Sequence, residues 1–411
     1  MNDLNRARET LFSIYQAALE RVSGRETVKR WLYDSDHDCS MIAIGKAAGD
    51  MAQGAVDQLG NHIIDGWVIS KSGHLEHKLL QSYGLETMEA GHPVPDQQSL
   101  AAGARLLDYL EGLPEDRPLL FLISGGASSL IEALRPGITL ADLERVNKWL
   151  LASGLSITDM NRVRCSLSLI KGGGLLRYIG RRPADVLLIS DVPKDDPAVI
   201  GSGLLIPPAD GAGLPTYLKL PEWILALTAN VGGTASSPIA GDNVSVHVIA
   251  SLRDAREAAA AKARMLGYEV TLRHAHICAD AVSAGRRLAL ELNDADPGVF
   301  VWGGEPSVQL PESPGRGGRN QHLALSAATV IAGHDDVYFL SLATDGGDGP
   351  GDDAGALVDG GTVRRGEREG FNAKQALDAA DSGSFLEASG DLINTGPTGT
   401  NVMDLILGIK L

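Results

Sequence analysis

The stretch CSMIAIGKAAGDMAQGAVDQL, residues 39–59, decides the fold. Its apolar run at 41–44 leads through Gly45 into a segment that begins near Ala47 with the spacing of a helix. Residues 117–134, RPLLFLISGGASSLIEAL, repeat this order of apolar run, glycine turn and helix. Continuous apolar strands followed by helices are typical of a parallel sheet covered on both faces. We therefore predict an α/β, doubly wound sheet, in which ligands bind beyond the carboxyl ends of the strands.

The same pattern extends outward in both directions. Residues 4–22 have the spacing of an amphipathic helix, and 184–196, ADVLLISDVPKDD, predict a buried strand that ends in an acidic turn. Residues 206–242 are rich in Pro, Gly and Ser, which is typical of a boundary or hinge, and a second alternating set of strands and helices follows. The sequence therefore predicts two α/β domains, 1–240 and 241–411, with a cleft between them.

Charge and composition exclude several classes of protein. The chain has 36 Lys and Arg against 52 Asp and Glu, a net charge of −16, which argues against a nucleic acid or an anionic membrane as the main partner. No run of about 18 apolar residues indicates a membrane span, and the first residues lack the apolar core of a signal peptide. The three cysteines are far apart and form no CxxC pair. We therefore expect a cytoplasmic protein in a reducing compartment.

Several common motifs are absent from the sequence. It contains no G-x-x-x-x-G-K-[ST], no H-E-x-x-H, no G-x-S-x-G, and no G-x-G-x-x-G between an early strand and its helix. The histidine pairs in HLEH (74–77) and HAH (274–276) have spacings that a metal can use, but no cysteine or carboxylate completes a set. We interpret them as solvated or hydrogen-bonded histidines.

Two glycine turns in the first half are candidates for binding an anion. Lys46 follows a strand at the turn of Gly45, where helix amides and a cation suit a phosphate or carboxylate; a surface lysine is the alternative. The second turn offers backbone amides and hydroxyls, or simply a capped helix, through Ser124, Gly125, Gly126 and Ser128.

Acidic residues end the strand of ADVLLISDVPKDD. Asp191 directly follows the apolar run, where a magnesium ion or a hydroxyl that needs a base would account for a carboxylate. For Asp195 and Asp196 we favour a helix N-terminal cap.

The second half carries three further loops. GRGGRNQ (315–321) places Arg316 and Arg319 before a helix, a strong arrangement for an anion. ATDGGDGPGDDAG (343–355) crowds carboxylates, Asp345 first among them, at a strand end without the spacing of a calcium loop, which favours handling of a magnesium nucleotide. NTGPTGTNVMDL (394–405) adds hydroxyls such as Thr398. Basic anchors, amide-rich turns and acidic strand ends together indicate phosphoryl transfer.

Eight motifs, in order, resemble the glycerate 2-kinase family over nearly the whole chain. They are GHPVPD (91–96), LISGGASSL (122–130), MNRVRCSLSLIKGGG (160–174), ISDVPKDDPAVIGSG (189–203), GGEPSVQL (303–310), GRGGRNQ, ATDGGDGPGDDAG and TGPTGTNVMDL. The resemblance implies a Rossmann-like, doubly wound N-terminal domain and a smaller α/β domain of the MOFRL type. It also implies transfer of the γ-phosphate of ATP to the 2-hydroxyl of D-glycerate, with Mg²⁺ or another divalent metal.

The resemblance assigns roles to individual residues. It implies that Lys46, Asp191 and Arg319 are catalytic. Asp345, in the acidic loop, would hold the metal or position the arginine loop. We assign Lys46 and Arg319 to neutralising charge on the phosphates or on the substrate carboxylate, and Asp191 to orienting or deprotonating the 2-hydroxyl. From the loops themselves we expect contacts to nucleotide or substrate at Gly45, Ser124, Gly125, Gly126, Ser128, Arg316, Asn320 and Thr398.

The chain departs from the family pattern at three places. Asn394 stands where His is usual, Lys194 where Gly is common, and GSGLLIPPAD (201–210) lacks the usual threonine. Two other functions stay open: a hydroxypyruvate reductase, which needs NAD(P)H, and a non-catalytic sensor of an acidic metabolite. Expected partners are the small substrate alone, without nucleic acid or membrane, for a monomer or a homodimer.

Overall fold

The computed structural model describes residues 3–208, 214–215, 217–229 and 243–411. The chain divides into two compact units. The N-terminal unit is Gly24–Ile249, and the C-terminal unit combines Ala250–Leu411 with the first helix, α1 (Asp3–Val22). Most of the predicted hinge at 206–242 lies outside the described residues.

The N-terminal unit is built on a six-stranded sheet in the order β3-β2-β1-β4-β5-β6. Its helices and strands are α2 (Gly24–Trp31), β1 (Cys39–Ile44), α3 (Ala48–Leu59), β2 (Ile63–Lys71), α4 (His77–Ser82), β3 (Leu85–Ala90), α5 (Gln97–Gly112), β4 (Leu119–Ile123), α6 (Ala127–Leu130), α7 (Leu140–Ala152), α8 (Ile157–Leu167), α9 (Leu176–Ile179), β5 (Ala184–Ile189), α10 (Glu222–Ala229) and β6 (Val244–Ala250). The strand pairs from β3 through β5 are parallel.

This sheet confirms the predicted doubly wound class. Every residue of β1 and of β4 is buried, as expected for strands covered on both faces. The order 3-2-1-4-5-6 is that of dinucleotide-binding domains, and its direction reverses between β1 and β4. A crevice for ligands is expected at the carboxyl ends of these two strands.

The C-terminal unit contains a second six-stranded sheet, in the order β11-β10-β9-β12-β8-β7. After α1, its helices and strands are α11 (Leu252–Met265), β7 (Val270–Ile277), α12 (Ala281–Asp294), β8 (Gly298–Gly304), α13 (Arg319–Ile331), β9 (Val337–Ala343), β10 (Gly355–Asp359), α14 (Thr362–Arg368), α15 (Ala373–Asp378), α16 (Ser382–Ser389), β11 (Leu392–Ile393) and β12 (Asp404–Lys410).

The strand directions of the second sheet differ from those of the first. Strands β7 and β8 pair in parallel, whereas β12 runs antiparallel to both β8 and β9, and β10 runs antiparallel to β9 and β11. The difference arises because β12, a strand that the sequence did not predict, enters the middle of the sheet without a crossover helix. Since β8 and β9 both oppose β12, they are parallel to each other and their carboxyl ends share one edge.

Helix α1 belongs with the C-terminal unit because its side chains bond there. Arg8 donates to Asp359 at 2.8 Å and to Asp391 at 3.1 Å, and the Tyr15 hydroxyl donates to the carbonyl of Ala343 at 2.9 Å. A single cut in the sequence, such as the predicted one after residue 240, therefore does not describe the compact units. The predicted cleft stays a prediction.

None of the helices in the described part of the chain has the length and hydrophobicity needed to cross a bilayer.

Candidate active site

The turn after β1 approaches the turn after β4 so closely that only glycine fits. Gly45 has a φ of +132°, and a Cβ there would overlap the Ser124 side chain and lie 2.6 Å from the Ser124 carbonyl. Backbone strain and lack of space therefore both require glycine at this position. The predicted site residue Gly45 shapes the edge of the sheet.

Hydrogen bonds between the two turns fix the backbone that carries Lys46. The Lys46 amide donates to the carbonyl of Gly125 at 2.9 Å, and the Ala47 amide donates to the Ser124 hydroxyl at 3.0 Å. The Ser70 hydroxyl donates to the Gly45 carbonyl at 2.8 Å. Ser124 and Gly125 are buried, so the contacts shown make them part of the scaffold; direct contact of either with a ligand stays a prediction.

Gly126 brings a histidine beside Lys46 that sequence reasoning missed. Gly126 has a φ of +86°, and a Cβ there would lie 3.1 Å from the His92 ring and 3.2 Å from Cγ of Lys46. His92 is half-buried and lies just after β3 in GHPVPD. His92 follows β3, a strand of the same parallel sheet, and this position in the sequence could have predicted that it lies at the same edge as Lys46.

Ser128 connects α6 to the loop after β5. Its hydroxyl lies 2.8 Å from that of Ser202, a buried residue with a φ of +58° in GSG (201–203). The Ser202 carbonyl in turn accepts from the Gly172 amide at 3.0 Å. The structure therefore joins three of the eight sequence motifs around Ser128.

Asp191 follows β5, the neighbour of β4, and is half-buried. Because β1, β4 and β5 are parallel and adjacent, Lys46, the glycine turn and Asp191 all lie at one edge of the sheet. The loop continues with Lys194 at a φ of +70°, which explains why glycine suits this position. No α-helix starts at Asp195 or Asp196, so the predicted N-terminal cap was wrong; Asp196 instead accepts from the Ala198 amide at 3.0 Å in a turn.

A buried ion pair lies beneath this edge and was not predicted. Lys171 Nζ lies 2.5 Å from Oε2 of Glu132, and both side chains are almost fully buried. The Ser168 hydroxyl donates to the other carboxylate oxygen at 2.5 Å. Since each charge neutralises the other, we assign the pair to the scaffold.

In the C-terminal unit, Arg319 is held by two carboxylates. Its Nε and Nη2 donate to the buried Asp404 at 2.6 and 3.0 Å, and its Nη1 donates to the exposed Glu305 at 2.8 Å. Burial lowers the pKa of Arg319, but the two carboxylates outweigh burial and raise it, so the guanidinium stays charged. The side chain is 34% exposed, which leaves part of it accessible.

Asp348 occupies the N-terminus of α13, directly beside Arg319. Its carboxylate accepts from the amides of Asn320 at 3.0 Å and of Gln321 at 2.8 Å. Burial raises the pKa of Asp348 to about 7, although these bonds oppose that shift. The helix N-terminus predicted to bind a ligand anion is therefore occupied by the protein's own carboxylate, and Asp348 rather than Asp345 pins the arginine loop.

Two predicted binding residues of this loop make structural contacts. Asn320 is buried, donating to Asp348 at 3.3 Å and accepting from Ser341 at 2.6 Å. Contact of Asn320 with a ligand stays a prediction. Arg316 is partly exposed and pairs with Glu387 at 2.7 Å, with Asp353 at 3.8 Å. Contact of Arg316 with a ligand stays a prediction.

The acidic loop and the closing motif lie against each other. Asp345 is half-buried and accepts from the Gly347 amide at 3.1 Å, and the Thr398 hydroxyl donates to the Thr344 carbonyl next to it. Asn394, in the place of the usual histidine, is exposed and donates to the Asp352 carbonyl at 2.7 Å. Thr398 and Asp345 are thus neighbours of one strand end, whereas Asn394 only closes the loop.

The described residues contain no group of three or more His, Cys, Asp or Glu side chains arranged to hold a metal ion. A single carboxylate at Asp345 nevertheless suits Mg²⁺, which commonly takes one or two carboxylates together with water and substrate phosphates.

The chain is similar to known proteins over its whole length. A domain of unknown function, DUF4147, matches residues 10–213, and the MOFRL family matches residues 298–404. A D-glycerate 2-kinase of Thermotoga maritima is 35% identical, with 100% of each chain covered. A protein of Agrobacterium vitis with a provisional name as a hydroxypyruvate reductase is 36% identical, over 98% of this chain and 94% of its own. The crystal structure of a glycerate kinase from Thermotoga maritima superposes with a TM-score of 0.83 at 34% identity, covering 99% of this chain and 100% of that one.

Proposed function

This chain belongs to the glycerate 2-kinase family, and from that premise we propose that it phosphorylates D-glycerate at the 2-hydroxyl, with ATP as donor, to give 2-phosphoglycerate and ADP. One observation carries the proposal for this chain: the rigid turn that places Lys46 at the switch point of the first sheet, where a doubly wound domain binds its ligand.

The residues at the two sheet edges suit the charge of this reaction. Phosphoryl transfer depends on positioning and on neutralising charge on the phosphate oxygens. Lys46 and Arg319 supply the positive charge, each from a backbone or ion-pair framework that fixes its place. Asp191, at the end of β5, orients or deprotonates the attacking 2-hydroxyl.

Mg²⁺, when bound, would offset negative charge on the phosphates. Asp345 is the residue we assign to it, because it is a half-buried carboxylate just after β9 and its Oδ1 is held by the Gly347 amide at 3.1 Å. Asp348 does not suit the role, since its carboxylate caps α13.

A reductase is the second candidate, because one relative carries that provisional name and the first sheet has the strand order of dinucleotide-binding domains. Those domains need glycines at the first, third and sixth positions of the turn after β1. Here Gly45 is followed by Ala47 and Asp50 at the third and sixth positions. The turn therefore lacks the glycines that a reductase of this fold needs.

We place the protein in the cytoplasm, as a monomer or a homodimer. Its three cysteines, Cys39, Cys165 and Cys278, are free thiols, which suits a reducing compartment.

The experiment that tests the function is ³¹P NMR of the purified protein with D-glycerate, ATP and Mg²⁺. We expect the signal of 2-phosphoglycerate. A signal of 3-phosphoglycerate alone would keep the kinase and refute the assigned hydroxyl. No consumption of ATP, together with oxidation of NADH by hydroxypyruvate, would replace the kinase by the reductase.

The role of Asp191 needs a separate variant. Asp191→Asn should abolish transfer and leave the affinity for an ATP analogue unchanged if the carboxylate acts on the hydroxyl. A loss of nucleotide affinity would assign it to the metal instead.

A further inference from the structure

A pocket of about 370 Å³ opens in the C-terminal unit beside Arg319. Its lining includes residues of the segment between β8 and α13, and Gly349 and Pro350 from the acidic loop. The volume lies within the range of small-ligand sites, about 300–1,000 Å³. Arg319 lines this pocket, and the roles assigned above leave its other lining residues unused.

The pocket walls are mainly apolar. Val308, Leu310 and Pro350 line it, and among the described residues that do so none is acidic. Leu310 is 68% exposed, which leaves a large apolar side chain at the mouth without a covering partner. D-Glycerate carries an oxygen on every carbon, so it gains little from such walls, whereas the flat face of a nucleobase gains dispersion and burial.

The polar groups of the pocket are a neutral ring and one cation. His322 is buried, its Nδ1 lies 2.6 Å from the Ser382 hydroxyl, and burial lowers its pKa, so the imidazole is neutral at pH 7. A neutral ring nitrogen suits the edge of a base. Arg319 is the cation of the lining and suits a phosphate.

We infer that this pocket binds the base and ribose of the nucleoside triphosphate, with the phosphates on the side of Arg319. The inference rests on the proposed function and deepens it, because it names the part of the protein that selects the phosphoryl donor. It commits to a purine nucleotide such as ATP as the occupant. The apolar walls suit the face of the base, the neutral His322 suits its edge, and Arg319 suits the phosphates.

Leu310→Asp tests the inference directly. The change removes an apolar contact and places a negative charge in the pocket that we assign to the base and ribose. We expect the KM for ATP and the Kd of a non-hydrolysable ATP analogue to rise roughly tenfold or more, while the KM for D-glycerate stays within about twofold. Leu290→Asp is the matched control, because Leu290 is a 45% exposed leucine on α12 outside the pocket lining. The control should change none of these constants.

A second variant, Val308→Trp, fills the pocket without adding charge. It should weaken binding of the analogue as well, and far-UV circular dichroism checks that both variants fold. Unchanged analogue binding in both folded variants would overturn the inference, and so would a rise in the KM for D-glycerate alone.

Calorimetry separates this inference from the proposed function. If the wild type forms 2-phosphoglycerate but Leu310→Asp binds the analogue normally, the function stands and the pocket assignment fails. If the wild type binds the analogue, loses that binding in Leu310→Asp and forms no phosphoglycerate, the pocket assignment stands and the function fails.

Discussion

The two sheet edges place a cation in different ways. In the N-terminal unit, Lys46 rests on a turn held by glycine, backbone amides and the Ser124 hydroxyl. In the C-terminal unit, Arg319 is held by the carboxylates of Asp404 and Glu305, one buried and one exposed. Lys46 is therefore positioned by the hydrogen bonds of its backbone, and Arg319 by the ion pairs of its guanidinium group.

This difference predicts which substitutions separate activity from stability. A side chain positioned through its backbone can be removed while the scaffold keeps its bonds. A side chain that compensates a buried carboxylate cannot be removed in this way, because its loss leaves the buried carboxylate of Asp404 without its partner.

Of the substitutions considered, Lys46→Ala should cause the largest loss of activity. Alanine keeps the amide that donates to Gly125, so the fold should survive while kcat/KM falls roughly 100- to 1,000-fold, as when a charge-stabilising group is lost. Lys71→Ala is the control, because Lys71 is a half-buried lysine at the end of the neighbouring strand β2. Equal losses in both variants would remove Lys46 from the mechanism.

Arg319→Ala should lose stability as well as activity. Truncating one partner of a buried pair costs about 3–5 kcal/mol of unfolding free energy, reduced here because Arg319 is partly exposed. Arg316→Ala, which breaks an exposed pair with Glu387, should cost at most about 1 kcal/mol. Urea unfolding followed by circular dichroism measures both, and equal midpoints would contradict the contrast between the two edges.

Gly45→Ala tests the backbone half of the comparison. A methyl group there meets the Ser124 side chain and carbonyl at an unfavourable φ, so we expect a loss of about 3 kcal/mol or more and reduced activity. Gly73→Ala isolates the conformational part, because Gly73 also has a positive φ, +79°, but open space around it. It should cost about 1–2 kcal/mol in thermal or urea unfolding. A smaller loss for Gly45→Ala than for Gly73→Ala would show that the two turns can separate cheaply.

The first edge was readable from the sequence and the second was not. Strand, glycine turn and helix are local patterns, so the positions of Lys46 and of the Ser124 turn followed from residues within a few places along the chain. Arg319 and Asp404 are 85 residues apart, and Asp348 reaches the start of α13 from a loop 28 residues away. Such pairings depend on the insertion of β12 between β8 and β9, which has no local signal.

The same reason explains the errors at individual residues. GRGGRNQ has the sequence of an anion-binding helix start, but an acid elsewhere in the chain fills it. His92 lies in the motif GHPVPD, but its nearness to Lys46 depends on the parallel pairing of β3, β2 and β1.

Asp348 should make stability depend on pH. Its pKa is about 7 in the folded state against an ordinary 3.8, so between these values the folded state binds the proton more tightly than the unfolded state. The unfolding free energy should therefore fall by about 2 kcal/mol as pH rises from 5 to 7. In Asp348→Asn this part of the slope should disappear. Urea titrations at each pH give the comparison, and parallel slopes in the two proteins would contradict it.

The smallest effect expected is at Lys194, where the chain departs from its family. A left-handed conformation costs a non-glycine residue about 1–2 kcal/mol, and glycine at this position would recover that amount less about 0.5–1 kcal/mol for its freer unfolded chain. Lys194→Gly should thus raise the unfolding free energy by about 0.5 kcal/mol, whereas Lys194→Ala, which keeps the strain, should not. If Lys194→Gly instead lowered the unfolding free energy, the contacts of the lysine side chain would have to stabilise the protein by more than the backbone strain destabilises it. The loop after Asp191 would then be held by charge, like the second edge, and not by its backbone, like the first.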